Sequence, residues 1–550
     1  MKLGNHNVAK LDTKIMKFIL LFKKNQLLFQ AFTLIILNYF ITKYFYRALP
    51  SSESLYAQSS IFYNLYTYAS LSLILFMLSP LFLYKLKWKE IIDKEFSPIK
   101  YFILFIFSIY AWGIITLDYN LYFNQAYHGD RIILLTLFIL SFRFPLAFIY
   151  FTISSLVFLN QVSYPSFGLK FPEAYVYIKP LLEVLILFII FMFLKKIYKK
   201  LSILTFFIVV ICFHASNYFI PGLGKILLSE HYIDWIWLND LGNILMAKYS
   251  QGWLSEFVAL ETMEVIVGWV STVTIPMQLF AFTIQVVVLF VFIKKRFALI
   301  LFVSFELLHL GIFMTTGIFF WKWILLNFAI VYVIQSLNPH DIKKVFNYKV
   351  MLFTMPFIML GYGFFHSYWL AWYDTPLHSY NQVYATTEDG ERYAIDINLF
   401  APYDRMFYRH TLNCFIDKPL KANWDTTDKN IMRELTSLSK EKDYRSIKEQ
   451  IHNFEKEYGQ NEFNQLEQEK FINFIKTSFK NLNTYKDNKI IWTDFSPMRN
   501  MYRLFNWKVP LNTNSNIKQI EIIFNKKFYN HHHNKLITLE KDSIVKIKIE

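Results

Sequence analysis

Cysteine is almost missing from this chain: two in 550 residues, Cys212 inside an apolar run and Cys414 in the polar C-terminal part. Settings so different do not pair by default, so neither a disulfide framework nor a cysteine-based zinc site is available. Charge is scarce too, with Asp, Glu, Lys and Arg at 18%. There is no G-x-x-x-x-G-K-[ST] loop, no G-x-S-x-G elbow and no H-E-x-x-H pair, so nucleotide-driven pumps and the common hydrolases lose their usual support. Internal repeats and low-complexity tracts are lacking as well. No small-residue cleavage pattern follows the first apolar run, which therefore reads as a retained first span.

What fills the space is hydrophobic. The composition is 55% hydrophobic and 19% aromatic, with 58 Phe and 36 Tyr, and the mean hydropathy is +0.29. Such a chain is an integral membrane protein whose first partner is the lipid bilayer. The net charge of +16 is spread over short lysine clusters between apolar runs and forms no single basic face. Such clusters read as topology signals, not as a nucleic-acid surface.

The clusters order the chain. Lys10 to Lys24 precede an apolar run at 27–46, and Lys85 to Lys100 follow a second at 61–84. The positive-inside rule puts both clusters in the cytoplasm, so a third run at 101–117 exits and the loop 118–130 lies outside. Runs at 131–142 and 145–159, parted by Arg143, are two tilted spans or one broken one. The run 180–194 returns to Lys195, Lys196, Lys199 and Lys200, and 201–220 exits again. Residues 227–262, aromatic and interrupted by charges, suit interfacial helices. A run at 264–293 comes back around Pro276, 297–334 makes two short spans turning near Thr315-Thr316-Gly317, and 351–372 is the last exit. The expectation is roughly eleven spans, with the N-terminus inside and the C-terminus outside.

After Tyr373 the composition changes. A hairpin turn is expected at Glu388-Asp-Gly-Glu391, helices where Ile431, Leu435, Leu438 and Ile447, Ile451, Phe454 recur, and strands at 489–492, 517–524 and 543–549. The fold class is thus an all-α polytopic membrane helical bundle with a C-terminal extracytoplasmic α+β domain. Its parts are a cytoplasmic basic N-terminus (1–26), the multi-span domain (27–372) and the extracytoplasmic domain (373–550).

Lys225 is the leading candidate for chemistry. It closes the stretch Tyr218-Phe-Ile-Pro-Gly-Leu-Gly-Lys225, where Pro221 and two glycines are expected to unwind the helix at the rim of the bilayer. It is either a base made usable by burial or a lysine snorkelling to headgroup level. His128, in the loop on the same side, is a proton shuttle or a plain loop histidine. Glu306 and His309 lie three apart in an apolar run, on one helix face, as functional groups or a mutually satisfied pair. His214 reads as a core histidine on the span of Lys225. Asp118, Glu183 and Glu264 mark the interface, and Lys322 between Trp321 and Trp323 is an aromatic-belt anchor. In His531-His-His533 adjacent side chains diverge and no acidic partner stands at ligand spacing, so no metal site is expected.

The stretch 218–225 closely resembles the Y-F-I-A-G-x-x-K segment of vitamin K-dependent gamma-glutamyl carboxylases and of the wider HTTM (horizontally transferred transmembrane) domain family. Phe305-Glu-Leu-Leu-His309 through Gly317-Ile-Phe-Phe-Trp321 is similar to that family's F-H-x-x-x-x-x-x-G-I-F-x-[FY] signature, and Tyr127-His-Gly-Asp130 to its N-H-x-x-Y-L stretch. The resemblance covers roughly residues 15 to 372. Beyond that, only Tyr384 to Tyr393 and Phe400 to Asp404 match loosely. Pro221 stands where the carboxylases have a small residue, and Gly224 where animal enzymes carry a second lysine.

The resemblance implies a lyase-type modifying enzyme whose cofactor is a reduced quinone, vitamin K or menaquinone hydroquinone. Lys225 would be the catalytic base, His128 its helper, and His309, with Glu306 and His214, would line the cofactor site. With oxygen and carbon dioxide the enzyme would carboxylate glutamate of an exported protein or peptide. The other reading is a non-catalytic HTTM-type membrane protein with an immunity, receptor or transport role.

Overall fold

The computed structural model describes residues 25–49, 51, 60–67, 70–116, 128–162, 173–395, 426–458, 464–485 and 515–549. The basic N-terminus through Lys24, Asp118, Tyr127, the 400–404 segment, Cys414 and the strand expected at 489–492 lie outside the described residues.

Most of the expected apolar runs are helices. The principal ones are α1 (Gln26–Ala48), α2 (Ser97–Thr116), α3 (Gly129–Ser141), α4 (Pro145–Val162), α5 (Glu173–Ile197) and α6 (Ile203–Leu228). After α6 come α7 (Asp234–Leu238), α8 (Leu241–Ser250), α9 (Leu260–Val287), α10 (Lys295–Thr316), α11 (Trp321–Ser336) and α12 (Tyr348–Met359). Among the described residues, five helices are long and apolar enough to cross a membrane: α1, α2 with its leading turn, α6, α9 with its trailing turn, and α10. Four shorter apolar helices stand beside them. By helix length and hydropathy the described residues suit a multi-pass membrane protein.

Local signals explain most ends. The turn after α10 falls where expected, with Gly317 left-handed at φ +71° and a ring of Trp253 so close that a Cβ would lie 2.6 Å from it. The run 61–84 is not one span. Ser70 caps a new helix at Leu71–Leu78, and the chain then tightens to a 3₁₀ turn carrying Pro80. Likewise the last run stops at Met359, followed by a single turn at Gly361–Phe364. The charge-interrupted 227–262 region, expected to be interfacial, holds one helix, α8, that is buried in protein along nearly its whole length. Glu183, expected at the interface, is buried inside the bundle.

The C-terminal part is mixed α and β. Four antiparallel strands lie in the order β2-β1-β3-β4, with β1 at Leu377–Thr387, β2 at Arg392–Ala394, β3 at Ile517–Asn530 and β4 at Lys535–Lys548. The β1–β2 turn is Glu388 to Glu391, with Gly390 at φ +89°. Helices α13 (Lys429–Leu438) and α14 (Tyr444–Tyr458) bury the expected Ile431, Leu435, Leu438 and Ile447, Ile451, Phe454 together against Leu377 and Phe528.

This sheet is seated on the bundle. Its β3–β4 hairpin carries the histidine tract, and the tract ties down backbone and amides: His531 Nε2 lies 2.8 Å from Asn243 Oδ1, and His533 Nε2 3.0 Å from the Lys442 carbonyl. Leu536 N donates to Glu264 at 2.9 Å, and Tyr529 packs among Met246, Trp253 and Val267.

His378 on β1 is fully buried, its Nε2 3.0 Å from Ser250 Oγ at the end of α8. Burial, with the Lys527 ammonium beside it, holds the imidazole down to about 3. An unfolded histidine titrates near 6.5. The folded value lies below the unfolded one, so the contribution is full above about 6.5 and is lost as pH falls toward 3. Thermal melts of the solubilised protein should show it: acidification from pH 6.5 to 5 costs about 2 kcal/mol through this residue, and His378→Gln removes that part of the slope.

Candidate functional site

The helix that carries Lys225 is buried in protein along its apolar length, up to an exposed Leu227 in its last turn. All of the apolar window of α6 is buried, and α1, α5, α9 and α12 pack around it. Here the expected unwinding is corrected, because α6 runs unbroken through Pro221 and Gly222 to Leu228. Proline removes one backbone hydrogen bond; unwinding in apolar surroundings would orphan several donors and acceptors at once. The glycines serve close approach. A Cβ on Gly222 would lie 3.0 Å from that of Gln285, and one on Gly224 only 2.7 Å from that of Ala371.

Close packing below and beside Lys225 leaves a cavity of about 510 Å³ between α6, α8, α9, α10 and the segment after α12. Its walls are mostly apolar, among them Pro221, Ala281, Leu308, Ile312, Phe320 and Leu370. Tyr218 and Lys225 both face it, as residues seven apart on one helix must.

At one level stands Lys225, 7% exposed, whose Nζ donates to Gln285 Oε1 at 2.8 Å and lies 4.7 Å from the centre of the Trp235 ring. Trp235 is itself fixed, its indole N–H donating to the Trp372 carbonyl at 2.8 Å. Asp374 lines the same cavity, and its carboxylate accepts from Asn239 Nδ2 and Trp372 Nε1, both at 3.0 Å. A cation, an amide, an indole face and an anion thus meet where the bundle gives way to the sheet.

At the other level is a string of polar groups, buried except for the half-buried Glu306. Tyr218 stacks on Phe305, ring centres 3.6 Å apart, and its hydroxyl lies 3.4 Å from His309 Nε2. Asn327 on α11 joins three partners: Glu306 Oε1 at 2.6 Å, the Tyr218 hydroxyl at 3.0 Å and His214 Nε2 at 2.5 Å. Glu306 and His309 therefore do not pair with each other; they meet through Asn327 and Tyr218.

The structure brings Lys225 and His309 to one cavity, with His214 and Glu306 behind its wall. His128 is not among the lining residues. It precedes α3, where Asp130 accepts from the Ile61 N–H at 2.5 Å and fully buried Arg131 donates to the Ile114 carbonyl at 2.9 Å, contacts that hold helices together. Sequence reasoning passed over Gln285, Asn327, Trp235 and Asp374. A lone amide inside an apolar run is the signal that marks the first two, because lipid cannot satisfy it. Lys248, fully buried and donating to Gln251 Oε1 at 3.2 Å, is a second lysine of the lining, in the region expected to be interfacial.

Gly224→Val would drive two methyl groups into Ala371 and Trp369, for a loss of about 1–3 kcal/mol. Gly311→Ala, with nothing within 4 Å of the added carbon, should be nearly neutral. Melting of the two purified variants in detergent checks the contrast. No family model, curated protein or solved structure matches this chain.

Proposed function

We propose that this protein is a multi-pass membrane enzyme that binds a reduced lipid quinone in the cavity and removes a proton from it with Lys225. The observation that carries this reading is a buried lysine in a mostly apolar cavity, its Nζ held at 2.8 Å by the neutral amide of Gln285. The donor set suits such a molecule: apolar walls for a ring and chain, and nitrogen groups at two levels for its oxygens.

When bound, a hydroquinone supplies a weakly acidic O–H and two electrons for the reduction of oxygen. In the neutral form, Lys225 Nζ gives one hydrogen to Gln285 Oε1 and keeps its lone pair for the incoming proton. The ammonium so formed faces the Trp235 ring and shares its cavity with the Asp374 carboxylate, both of which stabilise positive charge. The apolar lining keeps bulk water from the reacting groups. Modification of an exported protein or peptide, in which a glutamate γ-carbon gives up a proton to a base and bonds to carbon dioxide in its place, is the reaction we assign on the resemblance of the 218–225 and 305–321 segments.

Membranes containing the protein should oxidise added menaquinol in an oxygen-dependent way, measured by chromatography of the quinone products. Lys225→Ala should lower that rate at least about 100-fold at unchanged protein level. Lys225→Gln retaining full rate would remove the base from the mechanism and leave the cavity a binding site.

A further inference from the structure

The hydrogen bonds around Asn327 can be given direction atom by atom. Its amide meets three groups: Glu306 Oε1, the Tyr218 hydroxyl and His214 Nε2. With the NH₂ toward Glu306 and Tyr218 and Oδ1 toward His214, both N–H groups and the oxygen are used. Turned the other way, the amide would direct one N–H at His214 and leave the second buried without an acceptor, at the full cost of an unmade bond. The first arrangement is therefore the favoured one, and His214 donates from Nε2.

The consequence passes to the cavity. Tyr218 Oη receives a hydrogen from Asn327, so its own hydrogen is left to donate, and the atom it meets is His309 Nε2. An Nε2 that accepts carries no proton, so the neutral ring holds its proton on Nδ1. That Nδ1 is buried and has no protein partner among the described residues, on a side chain that lines the cavity. Gln278 Nε2, in the same lining and 2% exposed, is likewise without a partner.

We infer that His309 presents an Nδ1–H donor to an oxygen acceptor of the molecule in the cavity, and that Asn327 is the positioning residue that sets this tautomer. The ligand class is an apolar ring bearing an oxygen distant from the one served by Lys225. Tyr218 and Lys225 stand seven residues apart, about 10 Å along the helix, so the two polar points sit at different depths. The identity of the ligand rests on the quinone reading above; the tautomer of His309 does not.

Full-length protein labelled with [¹⁵N]histidine, in lipid nanodiscs near neutral pH, tests this by solid-state NMR of the ring nitrogens. The His309 resonances are assigned by their loss in His309→Asn, or in His309→Gln if the first variant fails to accumulate. A protonated Nδ1 with a bare Nε2 is expected; a protonated Nε2, as the reversed amide would produce, overturns the inference. In Asn327→Asp the carboxylate takes the Tyr218 hydrogen, so the His309 proton should move to Nε2. A ring left unchanged there would remove Asn327 from its positioning role.

Binding gives a separate arm, with menadione as the probe and tryptophan quenching as the signal. An Asn amide nitrogen can stand in for Nδ1, and a Gln nitrogen for Nε2. His309→Asn should keep affinity within about threefold and His309→Gln lose about tenfold, the worth of one buried hydrogen bond; the opposite order overturns the donor assignment. Failure of the wild type to bind menadione would count against the quinone reading, while the tautomer would still be decided by the spectra.

Discussion

A helix whose apolar length is buried in protein must take its packing from the rest of the fold, and α6 is such a helix. In a bilayer, apolar contact between helices gains little over contact with lipid, so association depends on close fit and on polar groups that satisfy one another. Both are concentrated on α6. Gly222 and Gly224 let Gln285 and Ala371 approach, while Ser216 holds Ser367 at 2.6 Å and a Cβ on Gly361 would collide with Ser216. The cavity exists where this fit is interrupted, between the level of Tyr218 and that of Lys225.

The same enclosure accounts for the two levels of the site. A lysine ammonium cannot be solvated by lipid, and here Gln285 and the Trp235 ring take the place of water. One histidine, a tyrosine and a carboxylate are served by one amide, Asn327, and the second histidine, His309, is reached through the tyrosine. Such economy means that each group constrains the others: moving one hydrogen reassigns the rest of the string.

Much of the scaffold was legible because its signals are local. Gly317 ends a helix by its left-handed backbone, Gly390 turns a hairpin, and the i, i+4 spacing of Ile431 and Leu435 marks a buried helix face. The site was legible only in its charged members. Lys225 and His309 stand out in apolar sequence, but Gln285 and Asn327 are ordinary amides until the fold brings them against a charge. Pro221 was misread for a related reason. Proline costs the helix one backbone hydrogen bond, and α6 keeps the rest by running on through Pro221 to Leu228, while its glycines serve close approach to neighbours. His128 was singled out by its side of the bundle and by the Tyr127-His-Gly-Asp130 stretch, and in the fold it stands before α3 and is not among the residues lining the cavity of Lys225.

Asp374 gives the architecture a further meaning. It stands three residues before β1, where composition draws the boundary between bundle and sheet, and yet its carboxylate lines the cavity of Lys225. Asn243, which donates to the Asp374 carbonyl at 2.8 Å, also holds His531 of the β3–β4 hairpin. The domain border therefore runs through the site. Membrane part and sheet are not interchangeable modules: a bundle cut off before this aspartate would carry the lysine without its counter-charge, and a grafted sheet would have to bring an aspartate of its own.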